Sequence, residues 1–152
     1  MEILKINEDE IGKLIPLYRH YTSEKNFPRL SDKKIQEIWD QVQKNPCITY
    51  FIGEEDSKII ASCILTITPS FIRGGDGYGF LEHVVVHRDY RRNGYGKAIV
   101  NHVLNFAWDK KCTEVMLLSG SANERAHKMY KKIGFDMLRK KGFIIYSSRD
   151  QK

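Results

Sequence analysis

The chain has 152 residues, 41% hydrophobic and 29% charged, which suits one globular domain around one core. Lysine and arginine number 25 against 19 acidic residues, a net charge of +6. The basic residues are scattered as pairs such as Lys33-Lys34 and Lys140-Lys141, which read as solvated faces and give no reason to expect nucleic acid. No segment approaches the ~18–20 apolar residues of a membrane span, and Met1-Glu2-Ile3-Leu4-Lys5 lacks the basic start and apolar run of a secretory signal, so a cytoplasmic protein without a membrane partner is expected. Cys47, Cys63 and Cys112 are odd in number, far apart and outside any CxxC pair, so neither a disulfide frame nor a metal site is expected.

In chain order, Glu2 to Ile6 alternates polar and apolar residues as a strand does. Ile11, Leu14, Ile15 and Tyr18 recur at helical spacing between Glu8 and about Tyr21, with Pro16 able to kink or divide that helix. Ser31 is an N-cap for a second helix with stripe Ile35, Ile38, Trp39 and Val42, ending near Asn45-Pro46. Ile48 to Gly53 and Lys58 to Thr68 are β-rich runs joined at Glu54-Glu55-Asp56-Ser57. Gly74-Gly75-Asp76-Gly77 is a loop, and Tyr78 to His87 a third long strand. A helix from about Gly96 to Lys110 buries Ile99, Val100, Val103, Leu104 and Ala107, and Thr113 to Leu118 is a strand. Ser121 and Glu124 form a capping box for a short helix that Gly134 closes. Phe135 to Arg139 and Phe143 to Ser147 are expected to pair as a closing hairpin around Lys140-Lys141-Gly142.

The segment from Val84 to Ala98 passes from strand to helix through Arg91-Arg92-Asn93-Gly94-Tyr95-Gly96-Lys97. Two glycines two apart let backbone close around an anion, and the amides and dipole of the following helix favour phosphate oxygens. Arg91, Arg92 and Lys97 add positive charge. A Walker A loop would need glycine where Arg91 stands and Ser or Thr where Ala98 stands; a Rossmann turn begun at Gly94 would need a small residue at Ile99. A surface turn with a capping glycine is the plain alternative.

At these residues the chain resembles the GNAT superfamily of N-acetyltransferases, whose phosphate turn reads Arg/Gln-x-x-Gly-x-Gly/Ala. A second stretch, Asn123-Glu124-Arg125-Ala126-His127-Lys128-Met129-Tyr130-Lys131-Lys132-Ile133-Gly134-Phe135, resembles the family signature Asn-x-x-Ala-x-x-x-Tyr-x-x-x-Gly-Phe. The resemblance is detailed from Tyr78 to Phe135 and covers the rest only in element order. It implies a single α/β (α+β) domain spanning 1–152, with a mixed, mostly antiparallel twisted sheet of about seven strands and helices on both faces. It also implies an enzyme, an acyltransferase that moves acetyl from acetyl-CoA to an amine by direct attack in a ternary complex. The co-substrate would enter where the strands near Val84 to His87 and Val115 to Leu118 splay apart.

The resemblance further assigns roles. Backbone amides of Arg92, Asn93, Gly94, Tyr95, Gly96 and Lys97 would hold the pyrophosphate, with Arg91 a hinge or charge contact. Main chain of Val84, Val85 and Val86 would pair with the pantetheine arm, one amide polarising the thioester carbonyl. Asn123 would bond the pantetheine amides and Ala126 would leave room for them. Tyr130, a turn after Ala126 on the same helix face, would donate to the departing thiolate. Glu82 interrupts an apolar strand, a costly place for a carboxylate unless it is at the cleft, paired or protonated; partial burial would suit it to take a proton from the amine, while a structural ion pair is the plain alternative. His83 would face away from Glu82 in a regular strand, unless a bulge intervenes. His87 also flanks the site, and His20, His102 and His127 lack any partner pattern.

The acceptor pocket falls to the first two helices and the loop Phe71 to Tyr78, with Tyr18, Tyr21, Phe27, Arg73, Asp76 and Tyr78 as candidate lining; the expected acceptor is a small-molecule or peptide amine, and a homodimer is possible. The rival functions are a catalytically idle acyl-CoA-binding regulatory module and, more distantly, an RNA-binding domain. Presence of both Glu82 and Tyr130 favours the enzyme.

Overall fold

The computed structural model describes residues 1–21 and 29–147. These fall into two compact units, Met1–Leu117 and the remainder from Leu118. The first carries β1 (Glu2–Lys5), α1 (Ile11–Tyr18), α2 (Asp32–Gln43), β2 (Ile48–Glu55), β3 (Lys58–Pro69), β4 (Gly77–Val86), α3 (Tyr95–Asp109) and β5 (Cys112–Leu117); the second carries α4 (Glu124–Ile133). Among the described residues the strands form one mixed sheet in the order β1-β2-β3-β4-β5, antiparallel except for the parallel pair β4–β5.

Local chemistry sets the element ends. A 3-10 turn at Glu8–Glu10 precedes α1, which then continues through Pro16 to Tyr18 without being divided. Ser31 caps α2 by accepting from the Lys34 amide at 3.3 Å. Of the expected stripe on α2, Trp39 is buried, whereas Ile38 is exposed at the edge. Asp56 and Ser57, with φ of 50° and 60°, close the β2–β3 hairpin in the left-handed conformation that suits strand twist.

The two faces of the sheet pack differently. Cross-strand register puts Phe51, Ala61, Cys63, Leu65 and Leu81 on one face. There the Phe51 ring meets Phe106 of α3 at 5.2 Å, and the helix buries Ile99, Val100, Val103 and Ala107. On the other face Ile52 and Val85 pack with Leu14 and Leu17 of α1, with Ile6, Tyr18 and Tyr50 at the margin.

Two expectations fail. The sheet has five strands, not about seven, because Phe135 to Arg139 and Phe143 to Ser147 form no ladder. A two-stranded hairpin is marginal unless one face is buried, and Leu138, Phe143 and Ile145 are each more than 90% exposed. The run Phe143-Ile144-Ile145-Tyr146 is apolar on both sides and supplies no polar-out alternation to fix a register. The second correction is the cap of α4. Asn123, not Ser121, is the N-cap, and its Oδ1 accepts from the Ala126 amide at 3.2 Å. The helix therefore starts at Glu124, whose carboxylate favours the first turn.

Candidate active site

The site begins with an irregularity in β4. Ser62 pairs with Val85 and Ile64 with Glu82, so Cys63 alone opposes both His83 and Val84, which is a β-bulge. His83 takes the extra residue's left-handed conformation, φ 48°. The inserted residue puts Glu82 and Val85, three apart, on the same face as Ser62 and Ile64, toward α1. The His83 ring also lies on that side, edge-on to Tyr18 at 6.1 Å and to Tyr21 at 5.3 Å. Thus the regular alternation that would have separated His83 from Glu82 is absent. Glu82 is exposed, so the partial burial expected of it is also absent.

Beside Glu82 the face is unusually polar. Tyr18 Oη and Ser62 Oγ are both buried, and neither has a well-formed hydrogen bond among the described residues. Burial pushes the Tyr18 phenol far above its usual value, with the nearby Ser62 hydroxyl acting weakly against it. Tyr50 is raised as well, by burial first and then by the negative charge of Glu82. Neither Ser62 nor Tyr50 was found by reading the sequence. Ser62 carried a signal of the same kind as Glu82, a polar residue inside the run Ile59-Ile60-Ala61-Ser62-Cys63-Ile64-Leu65.

The second feature is an open backbone edge. The β4–β5 ladder ends at Leu81 opposite Leu117, and Val115 is still paired, to Gly79. The ladder stops there, and among the described strands nothing pairs with the outer edge of Glu82, His83, Val84, Val85 and Val86. Side chains of Val84 and Val86 are half-buried and that of Val85 is core.

That edge leads into the glycine turn. A 3-10 turn at Arg88–Tyr90 is followed by Arg91, by Arg92 at φ 73° and by Gly94 at φ 83°, the N-cap of α3. The first bond of α3 runs from the Ala98 amide to the Gly94 carbonyl at 2.9 Å, and no side chain caps the helix start. The amides of Tyr95, Gly96 and Lys97 precede that bond and have no intrahelical acceptor. With Arg92, Asn93, Gly94 and Lys97 exposed, this is a helix terminus suited to an anion, and the residues fit a pyrophosphate.

Several side chains in the turn serve the scaffold. Arg91 donates from Nε to the Val86 carbonyl at 3.0 Å and from a terminal nitrogen to the His20 carbonyl at 2.9 Å, so it ties the turn to the segment that follows α1. The Tyr95 hydroxyl donates to Glu55 at 2.9 Å, and the other Glu55 oxygen takes the N-terminal ammonium at 3.1 Å. The Tyr95 hydrogen bond, then the ammonium, lower the Glu55 pKa, while Glu55 raises that of Tyr95. His87 Nδ1 accepts from the Asp89 amide at 3.3 Å, and its ring lies 4.2 Å from that of His20, so it is a local cap in an aromatic cluster. That cluster borders a cavity of about 560 Å³ lined by Lys13, Leu17, His20, Lys58, His87 and Tyr90 among others, which includes neither Glu82 nor any residue of the glycine turn.

In the second unit, Asn123 spends its side-chain oxygen on the α4 cap, leaving the amide NH2 as its donor end. Ala126 and Tyr130 share one face of α4; Tyr130 is 9% exposed, and its ring meets Phe135 at 5.7 Å. Gly134 ends the helix at φ 114°.

The acceptor candidates divide. Tyr18 and Tyr21 flank His83. Arg73 is committed to Glu114 on β5 and lies over the Tyr78 ring at 5.2 Å, so both stand at the far end of β4 from the bulge. Asp76 is half-buried in the loop before β4. Phe27 lies outside the described residues.

In this mixed sheet the fourth strand bulges, leaves its outer edge unpaired among the described strands and runs into a helix start that no side chain caps. The model of the acetyltransferase (GNAT) family matches residues 14–135. The chain belongs to that family and is an acyltransferase of the GNAT type. It is 30% identical to a glucosamine 6-phosphate N-acetyltransferase of Trypanosoma brucei brucei over 136 residues, 89% of this chain and 88% of that one. Among solved structures it is similar to a putative acetyltransferase from Agrobacterium tumefaciens, with TM-score 0.90, 28% identity and coverage of 97% and 100% of the two chains. A Trypanosoma brucei acetyltransferase gives TM-score 0.80 at 27% identity, covering 95% and 99%. Among the described residues no helix is long and apolar enough to cross a membrane.

Proposed function

We propose that this protein is a cytoplasmic, acetyl-CoA-dependent N-acetyltransferase that acetylates a small amine by direct attack, with an amino sugar or its phosphate as the first candidate acceptor. The observation that carries the reading is the single continuous path along β4, where an exposed carboxylate at a bulge precedes an open backbone edge and then an uncapped, glycine-rich helix start. The glucosamine 6-phosphate N-acetyltransferase relative, matched over nearly its full length, supports the choice of acceptor.

Amides of Arg92, Asn93, Gly94, Tyr95, Gly96 and Lys97 hold the pyrophosphate, and main chain of Val84, Val85 and Val86 pairs with the pantetheine arm. Asn123 adds a side-chain donor, and small Ala126 leaves space beside it. Bound acetyl-CoA supplies the acetyl thioester. Glu82 takes a proton from the acceptor ammonium, leaving a neutral nitrogen with its lone pair available. The Tyr130 hydroxyl gives a hydrogen bond or a proton to the sulfur as it leaves. Holding both reactants on one scaffold supplies much of the acceleration.

The test is thiol release from acetyl-CoA across glucosamine 6-phosphate, glucosamine, an aminoglycoside and peptide N-termini, with wild type and Tyr130→Phe. Turnover with a sugar amine, reduced in Tyr130→Phe, is expected. Tight CoA binding with no thiol release from any amine would instead identify a binding module.

A further inference from the structure

Tyr50 pairs with Ile64, and Ile64 with Glu82, so the three stand in one cross-strand row on the face toward α1. Two strand spacings of about 4.8 Å separate the outer backbones, a gap that an extended tyrosine and an extended glutamate can close from opposite sides. Ile64 between them is only 6% exposed, as expected if the two side chains lean together above it. Trp39 of α2 meets the Tyr50 ring edge-on at 6.3 Å, and the ring also packs at the margin of the Leu14, Leu17, Ile52 and Val85 cluster. The phenol is therefore held by its ring and polar only at its tip. Burial and the charge of Glu82 both keep it protonated, which makes it a donor.

We propose that Tyr50 is the positioning residue for Glu82, its hydroxyl donating a hydrogen bond to the Glu82 carboxylate directly or through one water, and so fixing the carboxylate that receives the amine's proton. The inference rests on the reading of Glu82 as the base. Donation to a carboxylate favours its charged form, so loss of the donor should show in the acid limb of the rate profile. Among the described residues, other titratable groups bearing on this patch are Tyr18 of α1, Tyr21 just beyond it, His83 on β4 and, through Tyr18, Cys63 on β3.

The experiment is the pH profile of kcat/KM for wild type, Tyr50→Phe, Glu82→Gln, the double variant and His83→Gln, each checked by thermal melting. Tyr50→Phe keeps the ring and its packing on Trp39. It should lower kcat roughly tenfold, the scale of one hydrogen bond to a charged group, and move the acid limb upward. In the Glu82→Gln background the same change should add less than about twofold, since a residue acting through another is not additive with it. His83→Gln should leave the acid limb in place. An unshifted acid limb in Tyr50→Phe, or a loss undiminished in the double variant, would overturn the inference while an impaired Glu82→Gln left the base reading standing. A fully active Glu82→Gln would remove the base reading, and this inference with it.

Discussion

The two faces of the sheet are built on opposite plans. Toward α3, Phe51, Ala61, Cys63, Leu65 and Leu81 present only apolar surface, met by Ile99, Val100, Val103 and Ala107. Toward α1 and α2, the same three strands carry Tyr50, Ser62 and Glu82, and Tyr18 Oη, Trp39 Nε1 and Ser62 Oγ are buried without well-formed partners among the described residues. Burying polar atoms unsatisfied costs about 1–3 kcal/mol each. On the proposed function, a fold that bears this cost on one face and avoids it on the other keeps stability and chemistry apart, with α3's side holding the sheet and α1's side carrying the polar groups. Ordinary alternation gives Leu81 to the first face and Glu82 to the second, and the bulge at His83 brings Val85 onto the same face as Glu82.

The sharpest way to break this division is on the apolar face. Phe51→Ala should cost about 3–5 kcal/mol in urea unfolding, the range for deleting a buried aromatic ring; a loss under 1 kcal/mol would mean that this face does not carry the stability. Smaller is Gly94→Ala, at the N-cap of α3. A Cβ there meets nothing within 4 Å, but φ is 83°, so the expected loss of about 1–2 kcal/mol is conformational. Weaker CoA binding should accompany it, measured by calorimetry.

Smaller again is Ser62→Ala on the reactive face. Because its hydroxyl lacks a well-formed partner, stability should stay within about 0.5 kcal/mol or rise. A loss above about 1.5 kcal/mol would show that the oxygen is satisfied in solution. The Tyr95–Glu55 pair should give the least. Its lowered glutamate pKa contributes stability above the ordinary carboxylate range that is lost as pH falls through the lowered value. The raised tyrosine pKa contributes below the ordinary phenol value and is lost as pH climbs through the raised one. Tyr95→Phe should therefore flatten the melting temperature against pH at both ends, and an unchanged profile would mean that the pair is not formed in solution.

What could be read from the sequence follows the same physics. Gly94 and its basic neighbours were legible because a positive φ at a helix start is written in residue type. The stripe of α3 was legible because 3.6-residue periodicity over fifteen residues has few other causes. The bulge was not, since nothing in His83-Val84 distinguishes an inserted residue from regular strand, and one inserted residue reverses the facing of all that follow. Tyr50 escaped for a related reason: its place beside Glu82 depends on two strand registers at once. The segment Phe135 to Ser147 misled because apolar, β-rich composition shows what a strand contains but not whether anything covers it.

The division of labour meets its most direct test in Glu82→Gln, assayed for CoA affinity, stability and acetyl transfer together. The carboxylate is exposed and on the face away from α3, and the amides proposed to bind the cofactor follow it in the chain. CoA affinity should therefore stay within about twofold and the melting temperature should hold, while kcat falls by roughly 10²–10⁴, the usual contribution of a general base. Unchanged acetyl transfer, or a loss of transfer that only tracks a loss of stability, would contradict the account.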